Sequence, residues 1–411
     1  MNYDRDYDIN ESKKYNIAIV GATGAVGATL LYLLIERSFP FDNVYAVASS
    51  RSAGTKLNFG YDPPMELIVE DLETFSFEKV DIAIFSIGSK LSSEYAPKAA
   101  LAGCIVIDNS SYWRMNDDIP LVVASVNSEC ISQYKNKYII SNPNCIVAPL
   151  VDVLHPLNKI YGVKRIILST YQSVSGKGNR AIRQLFEETR DDITQNYEEN
   201  LNNNDDINYD ENNFNQENYD ENNFNQENYN ENCKKTSNKK IEEENENYEE
   251  SDEFSGVLPH KIAFNVIPQV GEILSDGETE EEEKIRNEIQ KILCSQIGIS
   301  ATCVRVPVFF GHSIAANIEL SVENIPSIDE IADVIKNNKD VIISHDIDHN
   351  YSTNYIMPID CVSLPFVYVS RLRPDYSNSK AFNIWIVSDN LYKGAALNAL
   401  QIAEKLITTH L

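Results

Sequence analysis

A glycine-rich turn at residues 21–27, GATGAVG, most constrains how this chain can fold. The turn follows the short apolar run YNIAIV and precedes AVGATLLYLLIERS, whose apolar spacing predicts a helix. Gly21, Gly24 and Gly27 would allow a tight turn, close approach of a pyrophosphate and close packing of the helix on a sheet. This context predicts a dinucleotide site at the helix N-terminus, although GxxGxxG also fits a strand-to-helix turn that binds nothing.

The first half of the chain alternates strand-like and helix-like runs. The apolar runs NVYAVASS, VDIAIFSIG, CIVIDNSS and KYIISNPN each end in turn residues, and helical sequence such as SSEYAPKAALAG lies between them. This alternation is typical of βαβ units on a mostly parallel sheet. We therefore expect an α/β fold.

The composition changes abruptly in the middle of the chain. Residues 196–252 are rich in Asn, Glu and Tyr and contain the repeat NYDENNFNQE at 208–217 and 218–227. Few of these residues could fill a core, so we expect a disordered, acidic, low-complexity insertion. Globular composition resumes after it, with a predicted helix at 278–293 and two predicted strands within 301–322.

Charge and cysteine content limit the partners of the chain. The formal net charge of −27 argues against a nucleic-acid partner, which needs a basic surface. The seven cysteines show neither a CxxC pair nor zinc-like spacing, so we expect no disulfide framework and no metal. We find no secretory signal and no apolar run near the roughly 18 residues of a membrane span. The sequence thus predicts a soluble, cytoplasmic protein without a membrane partner.

The end of the second predicted strand bears on the choice of dinucleotide. An NAD-selective site usually ends this strand in Asp or Glu, which holds the ribose hydroxyls. Here the strand ends in Ser49, Ser50, Arg51 and Ser52. Hydroxyls and a guanidinium suit a 2′-phosphate, so the sequence favours NADP over NAD, with an ordinary polar loop as the alternative.

Cys145 follows the turn SNPN at the C-terminal end of a predicted strand, where open α/β sheets bind ligands. If the following run IVAPLVDVLHPL is a helix, its N-terminus would lower the pKa of the thiol and favour the thiolate. A cysteine nucleophile beside a nicotinamide cofactor would add to an aldehyde and retain the oxidised product as a thioester. The residues alone leave a buried structural thiol as the alternative.

Eight motifs, taken in order along the chain, resemble those of the aspartate-semialdehyde dehydrogenase family. They are IAIVGATGAVG, ASSRSAG, DNSSYWR, SNPNC, STYQSVSGKG, IAFNVIPQ, CVRVPVFFGHS and SDNLYKGAA. The resemblance covers about 15–190 and 254–411. It implies reversible NADPH-dependent reductive dephosphorylation of L-aspartyl-β-phosphate to L-aspartate-β-semialdehyde through a cysteine thioester, in lysine, methionine and threonine biosynthesis. It also implies inorganic phosphate as a small-molecule partner and assembly as a homodimer or homotetramer.

The same resemblance implies roles for individual residues. The catalytic set is Cys145 as the nucleophile, His312 as the acid/base and Gln172, which orients the intermediate. The substrate-binding set is Arg114 at the phosphate, Arg305 at the carboxylate, Asn144, and the amine and phosphate pair Glu281 and Lys284. The run Glu280 to Glu283 leaves open which acid binds the substrate. The cofactor-binding set is Gly21, Ala22, Thr23, Gly24, Ala25, Val26, Ser49, Arg51, Ser52, Ser175, Gly176 and Asn390.

These residue types suit the implied chemistry. A phosphate and a carboxylate in one pocket need fixed cations, which Arg114, Lys284 and Arg305 would supply. Three other kinds of protein are alternatives to this family. N-acetyl-γ-glutamyl-phosphate reductase shares the chemistry but would show a different sequence around the cysteine, and a malonyl-CoA-type reductase would not need Glu281, because its substrate has no amine. The third alternative is a non-catalytic NADP-binding regulator. Lys177 departs from the family, where small residues are common at this position.

The expected architecture is an α/β fold in which a Rossmann-type NADP-binding domain is joined to an α+β catalytic and dimerisation domain. The NADP-binding domain is expected to comprise 1–146 plus about 375–411, and the catalytic and dimerisation domain 147–374. The insertion 196–252 falls within the second domain.

Overall fold

The computed structural model describes residues 13–60, 64–203, 256–344 and 355–411. The strands in these ranges are β1 Tyr15–Val20, β2 Phe41–Ala48, β3 Lys56–Phe59, β4 Met65–Ile68, β5 Glu70–Asp71, β6 Ile82–Phe85, β7 Ile105–Asp108, β8 Ile139–Ser141, β9 Val163–Gln172, β10 Gly298–Arg305, β11 His312–Leu320, β12 Val341–Ile343, β13 Val367–Pro374 and β14 Ala381–Ser388. The α-helices are α1 Ala25–Glu36, α2 Ser89–Leu101, α3 Val147–Tyr161, α4 Asn179–Asn203, α5 Glu280–Leu293, α6 Ile328–Ile335 and α7 Asn398–Thr409, with a π-helix at Tyr392–Leu397. None of these helices combines the length and apolarity needed to cross a membrane.

The first sheet is parallel and has the strand order β5-β2-β1-β6-β7-β8. The chain runs from β1 through α1 to β2 on one side, and later returns to β6 on the other side of β1. Helices α1 and α7 pack on one face and α2 packs on the other, so the central strands are buried on both faces and are mostly apolar. The predicted βαβ alternation and the Rossmann-type domain are confirmed.

The second sheet is mixed and has the order β10-β9-β11-β14-β13-β12. Its central strands are antiparallel, whereas the edge strands β10 and β12 run parallel to their neighbours. Helices α3, α5 and α6 bury one face of this sheet in the largest apolar core. The other face leaves side chains such as Ile167 and Tyr171 exposed. The predicted α+β second domain is therefore confirmed.

Two boundaries differ from the expectation. Strand β14 pairs with β11 and β13, so 381–388 belongs to the second sheet and not to the C-terminal part of the NADP-binding domain expected from about 375. Only the π-helix and α7 return to the first sheet. Helix α4 continues through 196–203, the first residues of the expected insertion, because no Gly or Pro interrupts it. Residues 204–252 lie outside the described residues.

Candidate active site

The glycine turn follows β1, which lies next to β6 in the sheet. The strand order reverses between these two strands, and open α/β sheets bind their ligands at such a point. A Cβ on Gly21, whose φ is 92°, would lie 2.3 Å from the carbonyl oxygen of Ser86. A Cβ on Gly27 would lie 2.1 Å from the carbonyl oxygen of Gly21. Gly24 is the N-cap of α1 and has no side chain that could cap the helix. The N–H groups of the first turn are therefore open to an anion. The turn fits a dinucleotide pyrophosphate.

A pocket of about 590 Å³ extends from this turn to the ends of β9 and β10. The predicted site residues that line it are Gly24, Ala25, Val26, Arg114, Asn144, Cys145, Gln172, Ser175, Gly176, Glu281, Lys284, Arg305 and Asn390. Lys177, the departure from the family pattern, lines it too. The structure therefore brings together residues from both domains that are far apart in the chain.

The remaining predicted cofactor residues do not line the pocket. These residues are Gly21, Ala22, Thr23, Ser49, Arg51 and Ser52. The backbone N–H groups of Gly21 and Ala22 donate to the carbonyl of Val47 in β2, at 2.7 and 3.1 Å. The end of β2 is therefore next to the glycine turn, with Arg51 exposed.

Cys145 lies between β8 and α3, and the helix begins at Val147 as the sequence predicts. The thiol does not have the low pKa expected from this position. Burial, and then the Glu281 carboxylate, raise the pKa of Cys145 to about 12, against the opposing effects of Arg305 and Arg114. The prediction that the helix N-terminus favours thiolate is wrong, because desolvation outweighs the helix dipole here. The thiol is protonated at neutral pH.

His312 is buried at the start of β11, beneath Gly176 of the pocket wall. A Cβ on Gly176 would lie 3.2 Å from His312 Nε2. The backbone N–H of Ser173 donates to His312 Nδ1 at 3.0 Å, so the neutral ring carries its proton on Nε2. Within the described residues, this Nε2 has no hydrogen-bond partner. Burial and Arg305 lower the pKa of His312 to about 3, so the ring is neutral.

The acids at the start of α5 point in different directions. Glu281 is buried at the pocket, where its Oε1 accepts from Asn144 Nδ2 at 2.9 Å and from Gln172 Nε2 at 3.0 Å. Glu282 instead accepts the backbone N–H of Cys303 at 2.8 Å and, in the capping box at the start of α5, the backbone N–H of the N-cap Thr279 at 2.7 Å. Glu280 forms an ion pair with Lys284 at 3.3 Å. Glu280 and Glu281 both line the pocket, but Glu281 is the buried acid of the two and contacts Asn144 and Gln172.

Arg114 forms an ion pair that the sequence interpretation missed. Its Nη1 donates to Glu288 Oε1 at 2.9 Å, and both side chains are buried. Glu288 lies about two turns after Glu281, on the face of α5 that also carries Ile285 and Ile289. The signal in the sequence was an acid at an apolar position of an amphipathic helix.

Three loops meet around Asn390, which lines the pocket. Asn390 Oδ1 accepts the N–H of Gly311 at 3.0 Å, and its Nδ2 donates to Ser175 Oγ at 3.1 Å. Ser173 Oγ also donates to Asn390 Oδ1 at 3.1 Å. Arg305 Nη1 donates to the carbonyl of Ser173 at 2.7 Å. Ser173 and Gly311, which the sequence interpretation did not single out, thus hold the predicted site residues in place.

The parallel sheet, its glycine turn and the adjoining pocket place the protein among the α/β proteins that bind a dinucleotide. Family models described as "Semialdehyde dehydrogenase, NAD binding domain" and "Semialdehyde dehydrogenase, dimerisation domain" match residues 16–134 and 154–393. The chain is 39% identical to the aspartate-semialdehyde dehydrogenase of Rickettsia bellii, over 97% of this chain and 100% of that protein. It is 36% identical to that of Bacillus subtilis, over 95% and 97%. The chain belongs to the aspartate-semialdehyde dehydrogenase family.

A solved structure agrees with this assignment. Aspartate semialdehyde dehydrogenase II from Vibrio cholerae, solved as a complex with ASA, has a TM-score of 0.76 and 34% identity, with 97% of this chain and 100% of that chain covered. The chain is therefore an oxidoreductase that catalyses the reversible NADPH-dependent reductive dephosphorylation of L-aspartyl-β-phosphate, a reaction of amino-acid biosynthesis. The family resemblance and the activity drawn from the motifs are confirmed.

Proposed function

We propose that Cys145 is the nucleophile that holds the acyl group, and that the substrate binds between Glu281 and the cations of the pocket. The observation that carries this proposal is that one pocket, beginning at the glycine turn, is lined by Cys145, Gln172, Glu281 and Arg305. A thiol, an anion for an ammonium group and a buried guanidinium for a carboxylate match the three functional ends of the aspartyl substrate.

NADP would be held with its pyrophosphate at residues 21–26 and its 2′-phosphate at Ser49, Arg51 and Ser52. The glycine turn and the end of β2 are adjacent, and this strand end carries no carboxylate that would repel the phosphate. Ser175, Gly176 and Asn390 line the same pocket as Cys145 and would face the nicotinamide end. The bound cofactor supplies reversible two-electron transfer.

Glu281 couples substrate binding to activation of the thiol. Its negative charge raises the pKa of Cys145, while its Oε1 is held by Asn144 and Gln172. A substrate ammonium that pairs with Glu281 offsets this charge and so removes the contribution of Glu281 to the raised pKa of the thiol. The thiol then gives its proton to His312 as the general base and the sulfur bonds to the acyl carbon. The bond from that carbon to the phosphate oxygen breaks, and phosphate takes up the proton as it leaves the thioester behind.

His312 would act on the oxygen of the reacting carbon. Its Nε2–H, buried beneath Gly176, donates a hydrogen bond to the negative charge that develops on this oxygen. To act as a base at Nε2, the ring must hold its own proton on Nδ1, where Ser173 Oγ, 3.1 Å away, accepts it in place of the bond from the Ser173 N–H. The anionic substrate groups and the thiolate favour uptake of the second proton at Nε2 because they raise the pKa of the imidazole.

The test of this proposal is phosphate-dependent reduction of NADP⁺ by aspartate semialdehyde in a Cys145→Ala variant. We expect no turnover with NADP⁺ binding retained, while Cys130→Ala, at a partly exposed cysteine, keeps its activity. Mass spectrometry of the wild-type enzyme with substrate and cofactor, but without phosphate, should find the acyl adduct on Cys145. Normal turnover in Cys145→Ala would refute the assignment.

We also infer a homodimer or homotetramer that assembles through the open face of the second sheet. This face exposes Ile167 and Tyr171, and it lies within the range matched by the dimerisation-domain model. We place the enzyme in the cytoplasm, since all cysteines in the described ranges are free thiols, as a reducing compartment keeps them.

A further inference from the structure

We propose that Glu288 is a positioning residue of the active site, which holds the Arg114 guanidinium and the backbone next to Cys145 in one fixed arrangement. The inference rests on the proposed function, because it takes Arg114 as the phosphate-binding cation and Cys145 as the nucleophile. Glu288 does not line the pocket and acts through the residues it contacts.

One carboxylate spans two parts of the site. Glu288 Oε1 accepts from Arg114 Nη1 at 2.9 Å, and Oε2 accepts the backbone N–H of Asn144 at 2.7 Å. Asn144 immediately precedes Cys145, so the second bond fixes the peptide that leads into the nucleophile. The guanidinium and the thiol therefore share a common support.

Burying the Glu288 carboxylate costs desolvation free energy, which a residue that only fills the core would not require. Its side chain is 1% exposed on the same face of α5 as Ile285 and Ile289, where an apolar residue would complete the core. Burial raises the pKa of Glu288, and Arg114 and the Asn144 N–H oppose this effect. A buried carboxylate contributes to stability only with such partners, so a role in orienting them explains it better than packing does.

The contacts of Arg114 indicate what is being oriented. Its Nε donates to the carbonyl of Asn142 at 3.0 Å and its Nη2 to the carbonyl of Asn109 at 2.8 Å, in addition to the bond to Glu288. Within the described part of the chain, these bonds engage one N–H on each guanidinium nitrogen, and each terminal nitrogen keeps a second N–H. Arg114 lines the pocket, so these second N–H groups can bind phosphate oxygens there.

Helix α5 also connects the two domains at this point. It packs in the core of the second sheet, whereas Arg114 follows β7 of the first sheet. Glu288 therefore sets how the phosphate-binding cation of one domain faces substrate groups held by the other. Loss of this contact should misplace the phosphate relative to the thiol while the glycine turn is unchanged.

The experiment compares Glu288→Gln with Glu282→Gln in the full-length enzyme. Glu282 is also buried on α5 and accepts backbone N–H groups, from Cys303 at 2.8 Å and from Thr279 at 2.7 Å, but these two partners do not line the pocket, whereas Arg114 and Asn144 do. We expect both variants to lower the melting temperature. Only Glu288→Gln should lower kcat/KM for phosphate, by about tenfold or more, the scale of one charge-assisted hydrogen bond, with the KM for NADP⁺ unchanged.

Two results separate this inference from the proposed function. Wild-type kinetic constants in Glu288→Gln, with the melting temperature lowered as in Glu282→Gln, would overturn the positioning role. Activity in Cys145→Ala would instead contradict the proposed function. Should Glu288→Gln not fold, Glu288→Asp keeps the charge but shortens its reach, so a selective loss in kcat/KM for phosphate supports the inference and unchanged constants overturn it.

Discussion

Gly394 packs directly against Cys145. A Cβ at residue 394 would lie 2.8 Å from the carbonyl oxygen of Cys145 and 3.0 Å from its Cβ. Gly394 belongs to the π-helix Tyr392–Leu397, and its neighbour Lys393 is buried in an ion pair with Asp152 of α3, at 3.1 Å. The π-helix is therefore anchored to the helix that follows the thiol, and the site tolerates no side chain between them.

A Gly394→Ala variant should consequently lose activity without losing the fold. The added methyl group would push the Cys145 backbone away from the substrate, and a displacement of this kind can lower kcat by about 10- to 100-fold. Steady-state kinetics and circular dichroism would measure both effects. Gly298→Ala is the matched control, because a Cβ there meets only ordinary contacts from 3.6 Å outward. Wild-type kcat in Gly394→Ala would contradict the argument.

Glu281→Gln should move thiol reactivity and turnover in opposite directions. Removing the carboxylate removes a charge that raises the pKa of Cys145, so the thiolate fraction at a given pH rises. The rate of alkylation by iodoacetamide should increase, with its pH profile shifted to lower pH, while kcat/KM falls because the substrate ammonium loses its partner. Cys145→Ala defines the background labelling.

Glu283→Gln is the control for this experiment, since Glu283 is an exposed acid on the same turn of α5. It should change neither alkylation nor turnover. A slower alkylation in Glu281→Gln would show that the carboxylate activates the thiol and does not suppress it.

The pKa of His312 makes stability depend on pH. The pKa is about 3 in the folded protein because burial and Arg305 disfavour the imidazolium, against an ordinary value of 6.5. Below pH 6.5 the unfolded chain binds a proton that the folded protein does not, so stability is lost as the pH falls from 6.5 towards 3. Above pH 6.5 this loss is absent.

A His312→Asn variant removes that proton uptake. Its melting temperature should therefore fall less than that of the wild-type enzyme between about pH 7.5 and about pH 5.5. Thermal unfolding followed by circular dichroism at both values measures the difference. His260→Asn, at an exposed histidine, controls for the substitution itself. Equal pH slopes in His312→Asn and wild type would contradict a buried neutral imidazole.

Much of the fold could be predicted because its signals are local. Apolar runs that end in turn residues identified β1, β6, β7 and β8, and the apolar spacing of 278–293 identified α5. The assignment of β14 failed because the sheet that a strand joins depends on its distant partners, β11 and β13. Local sequence carries no information about that pairing.

The site was predictable in its residue types and not in its electrostatics. Motif order pointed to Cys145 and His312, but the pKa of Cys145 depends on burial and on Glu281, which is remote in sequence. The ion pair of Arg114 with Glu288 joins residues from different domains. Such effects arise only once the two domains are packed together.

Arg51 offers the sharpest test of cofactor choice. It follows β2 beside the glycine turn, is exposed, and is the cation of the run 49–52. Arg51→Gln keeps polarity but removes the positive charge, so the KM for NADP⁺ should rise about tenfold, the scale of one charged hydrogen bond, while the KM for NAD⁺ changes little. Arg190→Gln, at an exposed arginine on α4, is the control and should leave both constants unchanged. NAD⁺ lacks the 2′-phosphate. An equal rise in KM for both cofactors would therefore mean that Arg51 supports the turn and does not bind the 2′-phosphate.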